Sequence, residues 1–427
     1  VHTIAQDPEV PGLLFAGTEF GFYFSIDGGE AWTKLTSGLP TIAVRDMVIQ
    51  EQKNDLVLAT FGRGFYIMDD YSPLRELAMN KEILEQQAHI FPVDDALMYI
   101  RTGGKYGQGS SFYKAKNPEF GATFTYYLKE VPKTLKAERT EKEKELFKEK
   151  QPIPQPTREE LRLEEAEEAP YLVFAIRDDS GEGIRKLYKK ASKGVNRIHW
   201  DLRYSSTRPV SAISNRTEKV ESSSGSTLAM PGSYSVELYM VARGEVSKLV
   251  DAVPFEAALL NQSTLPAKDY QEVADFQKEV SEFSRVMNGT RQMAREQQVK
   301  LNTIRKVMKQ TPGTGTSMLA DVLALQDQVD NILYKLEGPS ATASWEELPP
   351  MEMPLNRRLN IMVRTHWSST AGLTKTETDQ LEILREEFPP VLEKLKEVVE
   401  GINGVEARLE ELKAPWSPGR VLELEQE

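Results

Sequence analysis

The chain of 427 residues contains no cysteine, which excludes disulfide bonds, thiolate metal ligands and cysteine nucleophiles together. The sequence has only four histidines, and none lies at metal-ligand spacing from another: His2, His89, His199 and His366. We therefore expect no metal site and no cofactor. Each histidine is expected to be an ordinary packed or surface residue.

Long apolar runs are also missing, so we expect no segment that spans a bilayer. The formal net charge is −12, and no strongly basic stretch is evident, which argues against nucleic acid as a partner. The first residues, VHTIAQDPEVPGLLFAG, have neither a basic start nor an apolar core of the signal-peptide kind. They are expected to be a mature or cut end.

No phosphate-binding loop, dinucleotide fingerprint, zinc-protease helix or nucleophile elbow occurs in the sequence. Acidic residues are abundant, but abundance does not define a two-carboxylate hydrolase site. Asp69 and Asp70 follow a strand and are expected to bind turn amides. In WDLRY, residues 200–204, strand alternation predicts a core-facing stripe with a surface ion pair of Asp201 and Arg203.

The first eighty or so residues hold two similar blocks. LLFAGTEFGFYFSIDGG aligns with LVLATFGRGFYIMDDYS, and each block shows four short strand-like runs, the last being AWTKL in one and PLREL in the other. Four strands in about forty residues are typical of a β-propeller blade. The sequence therefore predicts two blades over residues 1–80.

The stretch SIDGGEAWTKL predicts a tight turn between two strands of the first block. Gly28 and Gly29 permit positive φ, Asp27 and Ser25 accept hydrogen bonds from turn amides, and Trp32 supplies an apolar plate. We expect these residues to be structural, and no catalytic residue is assigned.

The pattern Ser25-x-Asp27-x-Gly29-x-x-Trp32 resembles the Asp-box (BNR) repeat of sialidase-type and sortilin-like propellers. With the segments that follow, the chain resembles the C-terminal part of large bacterial sortilin-like BNR-repeat proteins, which are often labelled glycosyl hydrolases. This resemblance implies a larger propeller of which residues 1–80 are the end. Because two blades cannot close a ring, the N-terminal remainder of the same propeller, in one polypeptide or as a cleaved fragment, is an expected partner.

Residues 81–262 predict a β-sandwich of fibronectin or immunoglobulin type. Its six expected strands are GATFTYYLKE, YLVFAIRD, GIRKLYKK, NRIHWDLRY, SYSVELYMV and VSKLVDAVPFEA. A charged insertion at about 133–170 is expected to be exposed and partly helical, because its Lys and Glu residues alternate and QPIPQP interrupts any helix. A Ser-rich surface loop is expected at about 205–229.

Residues 263–427 change to a helical period and predict a small antiparallel bundle. Thr374 followed by Glu377 forms a capping-box pattern, and Pro389 and Pro390 are expected to break the last helix. The whole chain is therefore expected to be multidomain, mainly β and then α.

The favoured function is non-catalytic binding or scaffolding in the cell envelope or outside the cell. The propeller would capture a peptide, protein or glycan, with Arg45 and Arg63 as possible ligand-facing residues, while the C-terminal domains dock to an assembly. The alternative is a sialidase-like glycoside hydrolase whose catalytic residues lie in blades absent from this chain. A third hypothesis makes the helical and charged parts a scaffold within a complex.

Overall fold

The computed structural model describes residues 1–99, 115, 117–210, 226–260, 266–341, 343–366 and 369–422. Two compact units are present: residues 1–98, 103–202 and 231–260 form the first, and residues 99–102, 203–230 and 261–427 form the second. Residues 211–225 of the expected Ser-rich loop lie outside the described part. The first unit therefore contains both the residues expected as propeller blades, 1–80, and the strands expected as a sandwich after residue 80.

The first unit is built mainly from antiparallel strands. Its strands are β1 (Thr3–Gln6), β2 (Leu14–Thr18), β3 (Gly21–Ser25), β4 (Thr33–Leu35), β5 (Val44–Gln50), β6 (Asp55–Thr60), β7 (Phe65–Met68), β8 (Ala88–Ile90), β9 (Ala96–Met98), β10 (Ala122–Leu128), β11 (Tyr171–Asp178), β12 (Gly183–Lys190), β13 (Gly194–Trp200), β14 (Gly232–Ala242) and β15 (Glu245–Leu259). Its helices are α1 (Ser72–Met79), α2 (Leu135–Lys148) and α3 (Arg158–Ala166), with a 3₁₀ helix at Lys81–Glu85. The strands form four sheets, ordered β1-β2-β3-β4, β5-β6-β7, β13-β10-β8 and β12-β11-β14-β15-β9.

The first two sheets are consecutive antiparallel meanders that share one hydrophobic core. Aromatic and aliphatic side chains from both sheets and from α1 fill this core, among them Phe15, Phe22, Val44, Leu58 and Leu74. Gly17 lies where the two sheets meet, since a Cβ there would lie 2.8 Å from the carbonyl oxygen of Val44. Each sheet thus buries one face against the other.

The second hairpin has a different register from the first, although the two sequences align without a gap. Phe15 pairs with Phe24 in the first sheet. Leu58, the residue that aligns with Phe15, pairs with Tyr66 and not with Ile67, the residue that aligns with Phe24. Because side chains alternate between the faces of a strand, a one-residue change of register exchanges the two faces of β7 relative to β3.

The turns explain this exchange. The β2–β3 turn closes at the pair Thr18–Gly21, whereas the β6–β7 turn closes where the Thr60 N–H donates to the Gly64 carbonyl. As a result Phe65 is 75% exposed, whereas the equivalent Phe22 is fully buried. The second hairpin therefore turns apolar side chains outward.

The second sheet has three strands and not four, so the expectation that PLREL is its last strand is wrong. These residues lie in α1, which has a proline in its first turn. Proline is favoured there because its missing N–H has no intrahelical partner in any case. Leu74 and Leu77 of this helix pack into the shared core, which a surface strand would not allow.

A buried ion pair joins α1 to the start of the chain. The Arg75 guanidinium donates to the Asp7 carboxylate through Nη2 at 2.7 Å, and the Tyr71 hydroxyl donates to the same carboxylate at 2.7 Å. Burial raises the pKa of Asp7, but hydrogen bonds from Arg75, Tyr71 and the Val10 and Glu9 amides outweigh it, so the net pKa is lowered. Asp7 is 2% exposed, so its charge depends on these donors.

The remaining two sheets of the first unit pack their aromatic side chains together. The Phe124 and Phe174 rings stack with centroids 6.5 Å apart, and Trp200 lies edge-on to Phe255 at 6.0 Å. Each of the six segments expected as strands here contains a strand, although the strand in NRIHWDLRY ends at Trp200. β10 is buried on both sides, because Tyr127 on its other face joins the core of the first two sheets.

The charged insertion is partly helical and exposed, as expected. Its helices α2 and α3 have no buried residue, and Thr157 and Glu160 form a capping box at the start of α3. Arg139 of α2 bridges to Glu164 of α3 at 2.6 Å. Residues 151–157 between them are not helical, in agreement with the break predicted at QPIPQP.

The second unit is helical, which confirms the change of period near residue 263. Its helices are α4 (Tyr270–Gln310), α5 (Thr316–Glu337), α6 (Leu355–Thr365) and α7 (Lys375–Glu411). The described helices share one hydrophobic core, to which each contributes, for example through Ile304, Val329, Leu359 and Leu395. The predicted capping box at Thr374 and Glu377 is present.

Ion pairs and hydrogen bonds fix the directions of the long helices. Arg295 pairs with Glu337 and Arg305 with Gln326, so residue numbers rise along α4 as they fall along α5, and these two helices are antiparallel. In the salt bridges Glu279–Arg385 and Lys300–Glu406, residue numbers rise together along α4 and α7. α4 and α7 therefore run parallel to each other.

The expectation that Pro389 and Pro390 break the last helix is wrong, because α7 runs through both. Both prolines are exposed, so the carbonyls of Arg385 and Glu386, which lose their intrahelical donors, lie on the solvent side and are open to water. The buried residues Phe388 and Val391 meanwhile hold the helix to the core on either side.

We predict that Arg75→Met lowers the free energy of unfolding of the first unit by about 3–5 kcal/mol, because it leaves the Asp7 carboxylate buried without its cation. The loss should shrink as the pH falls below the ordinary pKa of Asp7, 3.8, because a lowered folded-state pKa stabilises only above that value. Urea unfolding at several pH values measures both effects. The control Arg162→Met removes an exposed pair with Glu159 and should change little; an equal loss in both variants would contradict the prediction.

We predict that the double variant Pro389→Ala/Pro390→Ala raises the free energy of unfolding of the helical unit by about 2 kcal/mol, because alanine restores two backbone donors and removes the proline clash. Thermal unfolding followed by circular dichroism measures the change. Glu393→Ala, an exposed change on the same helix, is the control. An unchanged or lower free energy of unfolding of the double variant would contradict the prediction and show that the two prolines do not destabilise this helix.

Candidate functional site

The turn between β3 and β4 is closed by its own side chains. The Ser25 hydroxyl donates to Asp27 Oδ1 at 2.6 Å and accepts the Gly29 N–H at 2.9 Å. Asp27 Oδ1 also accepts the Ala31 N–H at 2.9 Å. The hydrogen bond from Ala31 and that from Ser25 lower the pKa of Asp27, which keeps it anionic.

Trp32 and two glycines complete this turn. The Trp32 Nε1–H donates to the Gly29 carbonyl at 3.1 Å, and a Cβ at Gly29 would lie 3.8 Å from the indole ring. Gly28 and Gly29 have φ of 76° and 98°, which residues with a side chain rarely adopt. The polar groups of the turn are thus directed at one another.

A second group of side chains gathers at the opposite end of β3, where the β2–β3 and β6–β7 turns lie. We name it the arginine–aromatic end. It comprises His2, Glu19, Phe20, Arg45 and Phe61.

Arg45 is the centre of the arginine–aromatic end. Its guanidinium carbon lies 5.3 Å from the centroid of the Phe61 ring, Nη1 lies 3.1 Å from His2 Nε2, and Nη2 lies 3.4 Å from Glu19 Oε2. A hydrogen bond between Glu19 and His2 at 2.7 Å, together with the Arg45 charge, lowers the pKa of Glu19. Phe20 and Phe61 are 67% and 70% exposed.

Arg63 lies on the same turn as Phe61 and is exposed. The structure brings Arg45 together with an aromatic ring, a histidine and a carboxylate.

Of the two acidic residues after β7, Asp70 binds a turn amide through its side chain, as expected. Asp70 Oδ1 accepts the Ser72 N–H at 3.1 Å, and the Asp70 N–H donates to Asp55 Oδ1 at 2.9 Å. The pKa of Asp69 is raised, mainly by burial and to a smaller extent by the negative charge of Asp55. Arg197 holds this segment by donating to the carbonyl oxygens of Asp69, at 2.7 Å, and of Asp70.

The expectation that Arg203 of WDLRY lies at the surface is wrong. Leu202 adopts a φ of 53°, which ends the strand alternation at Trp200. Arg203 is 2% exposed and therefore lies inside the protein.

The Asp7–Tyr71–Arg75 cluster was not predictable from the sequence. The aspartate lies more than sixty residues before its two partners, and no local spacing signals the contact. Among the described residues, no group of three or more histidines and carboxylates is arranged to hold a metal ion. Nor does any helix in the described part of the chain combine the length and the apolar character needed to cross a membrane.

Comparison with known proteins identifies no family for this chain. No protein-family profile matches the sequence, and no curated protein matches it significantly. Among solved structures, the chain has a likeness to the extracellular domain of a putative one-component system from B. thetaiotaomicron, at 11% identity and a TM-score of 0.13. The matched region covers 61% of this chain and 25% of the other, and at this TM-score the folds are not equated.

We predict that Asp27→Ala opens the β3–β4 turn, because the Ala31 amide loses its acceptor and Ser25 its partner. Hydrogen exchange of the Ala31 amide should become several-fold faster, while amides of the neighbouring sheet keep their rates. Glu30→Ala, an exposed change in the same turn, is the matched control. Equal exchange of the Ala31 amide in the two variants would contradict a structural role for Asp27.

Proposed function

We propose that the chain is part of a non-catalytic binding protein whose first two sheets are blades of an Asp-box β-propeller. The observation that carries this proposal is the closed Ser25–Asp27–Gly29–Trp32 turn, at the expected place in a four-stranded meander. A second meander follows directly and packs on the first. Such stacking of consecutive sheets is how propellers are built.

The apolar outer face of the second sheet supports a continuation of this stacking. Val48, Val57 and Ile67 lie side by side on β5, β6 and β7, and Val48 and Ile67 are 62% and 60% exposed. Phe65 lies on the same face. A face of this kind is normally covered, so the N-terminal remainder of the propeller is its proposed partner.

For the rest of the chain we propose a fibronectin-like or immunoglobulin-like sandwich in the first unit and a docking role for the helical bundle. The aromatic packing between the two other sheets of the first unit supports the sandwich. The exposed helices α2 and α3 offer a further surface for assembly. We place the protein in the cell envelope or outside the cell, as the Asp-box resemblance implies.

The arginine–aromatic end is the proposed place of ligand capture. The Arg45 guanidinium lies over an aromatic ring, and its side chain remains 45% exposed, so it can donate to a carboxylate while the ring packs against an apolar part of the same ligand. In the free protein the Glu19 carboxylate already pairs with the Arg45 guanidinium, so an anionic ligand would displace Glu19 from Arg45. The proposed ligand is therefore a peptide or glycan that carries a carboxylate.

We predict that a hexaglutamate peptide or sialyllactose binds the full chain and that Arg45→Ala lowers the affinity about tenfold. Glu19→Gln should raise the affinity, because it removes the competing carboxylate. Isothermal titration calorimetry measures both, with Arg162→Ala as a control on an arginine far along the sequence.

Two outcomes would contradict binding without catalysis, and a third would contradict its proposed place. One is the absence of binding for both probes. The other is release of free sialic acid from sialyllactose, which would favour the hydrolase alternative. Equal affinities of the Arg45→Ala and Arg162→Ala variants would place the binding elsewhere.

A further inference from the structure

The outer edge of β7 has no strand beside it in the described residues. β7 pairs with β6 alone, whereas in the first sheet β4 pairs with the corresponding strand β3. The residues that would supply a fourth strand form α1. The second sheet therefore ends one strand early.

This edge lacks the features that protect free edges. Natural sheets block them with lysine, proline, charge or a bulge. The four residues of β7, Phe-Tyr-Ile-Met, include no charged residue and no proline, and its pairing with β6 is regular. An edge of this composition is a template for another strand.

The backbone of β7 is set to receive such a strand. The Thr60 N–H donates to the Gly64 carbonyl, and hydrogen-bonded pairs alternate along an antiparallel ladder. Tyr66 therefore bonds to β6, while the N–H and C=O groups of Phe65 and Ile67 point away from it. The side chains of these same two residues are 75% and 60% exposed.

We propose that a second copy of this chain pairs with β7 in antiparallel orientation, which joins the two second sheets into one continuous sheet. Tyr66 then lies opposite Tyr66 of the second copy, and Phe65 lies opposite Ile67. This register aligns the outward backbone groups of both strands. It also places an aromatic residue beside a β-branched one, which is a favourable cross-strand pair.

The charges next to β7 select this partner and this direction. Arg63 precedes the strand and Asp69 follows it, each three positions from Tyr66, and both are exposed. Arg197 holds the backbone carbonyl of Asp69 from within the same chain, which leaves the Asp69 side chain for the second copy. Antiparallel pairing about Tyr66 brings Arg63 of each copy to Asp69 of the other. Two complementary pairs form, whereas a parallel arrangement would set like charges together.

The pairing uses the edge of the second sheet, and ligand capture by Arg45 does not enter the argument. The proposal rests on the fold alone and stands whether or not the arginine–aromatic end binds an anion.

Sedimentation velocity of the full chain over a concentration series tests the proposal. The unmodified protein should dimerise. Arg63→Asp and Asp69→Arg should each weaken the dimer about tenfold or more, because each sets like charges opposite each other twice. An equimolar mixture of the two variants should dimerise again, because the introduced aspartate then faces the introduced arginine. The native Asp69 of one variant likewise faces the native Arg63 of the other.

Recovery in the mixture is specific to this pairing, since residues 63 and 69 of one chain lie at opposite ends of β7. Ile67→Pro, which removes an outward N–H and no bond to β6, should also prevent dimerisation. Arg162→Asp is the matched control and should leave the dimer intact. A monomer at all concentrations, a dimer that both single variants leave unchanged, or a mixture that stays monomeric would each overturn the proposal.

Discussion

The turn between β6 and β7 determines which side chains of β7 meet the core. Because this turn closes at Thr60 and Gly64, Tyr66 and Met68 face the shared core, and Phe65 and Ile67 face outward. A strand has only two faces, so the choice is all or none along β7. The apolar face of the second sheet and the chemistry of its free edge both follow from this register.

A buried carboxylate, that of Asp7, determines the structure of the segment that follows β7. Asp7 directly follows β1, and besides the local amides of Glu9 and Val10 its carboxylate is bound by the cation Arg75 and the hydroxyl of Tyr71, both at the start of α1. The segment after β7 must therefore turn inward as a helix to bring these donors to Asp7. A fourth surface strand at this place would leave the carboxylate buried without a cation.

The proposed functions place different demands on different parts of this unit. Capture of an anion needs a cation that is held but still accessible, which Arg45 achieves between Phe61, His2 and Glu19. Pairing of two copies needs an uncharged edge of regular register with opposite charges beyond its ends, which β7 offers. Packing of a further sheet needs only an apolar face, since the hydrophobic effect is not directional.

Local patterns in the sequence determined much of the secondary structure. The alternating runs of residues 122–259 are strands, the Thr374–Glu377 capping box starts a helix, and the Lys- and Glu-rich insertion is exposed, because these features depend on neighbours within a few residues. Tertiary structure decided what local signals do not contain. It set the face of β7 through the closure of one turn, made PLREL a helix through a contact with Asp7, and carried α7 across Pro389 and Pro390 by burial of the residues on either side. In each case the deciding partner is a turn geometry, a distant charge or a packed core, and the energy of such contacts exceeds the local preference that the sequence displays.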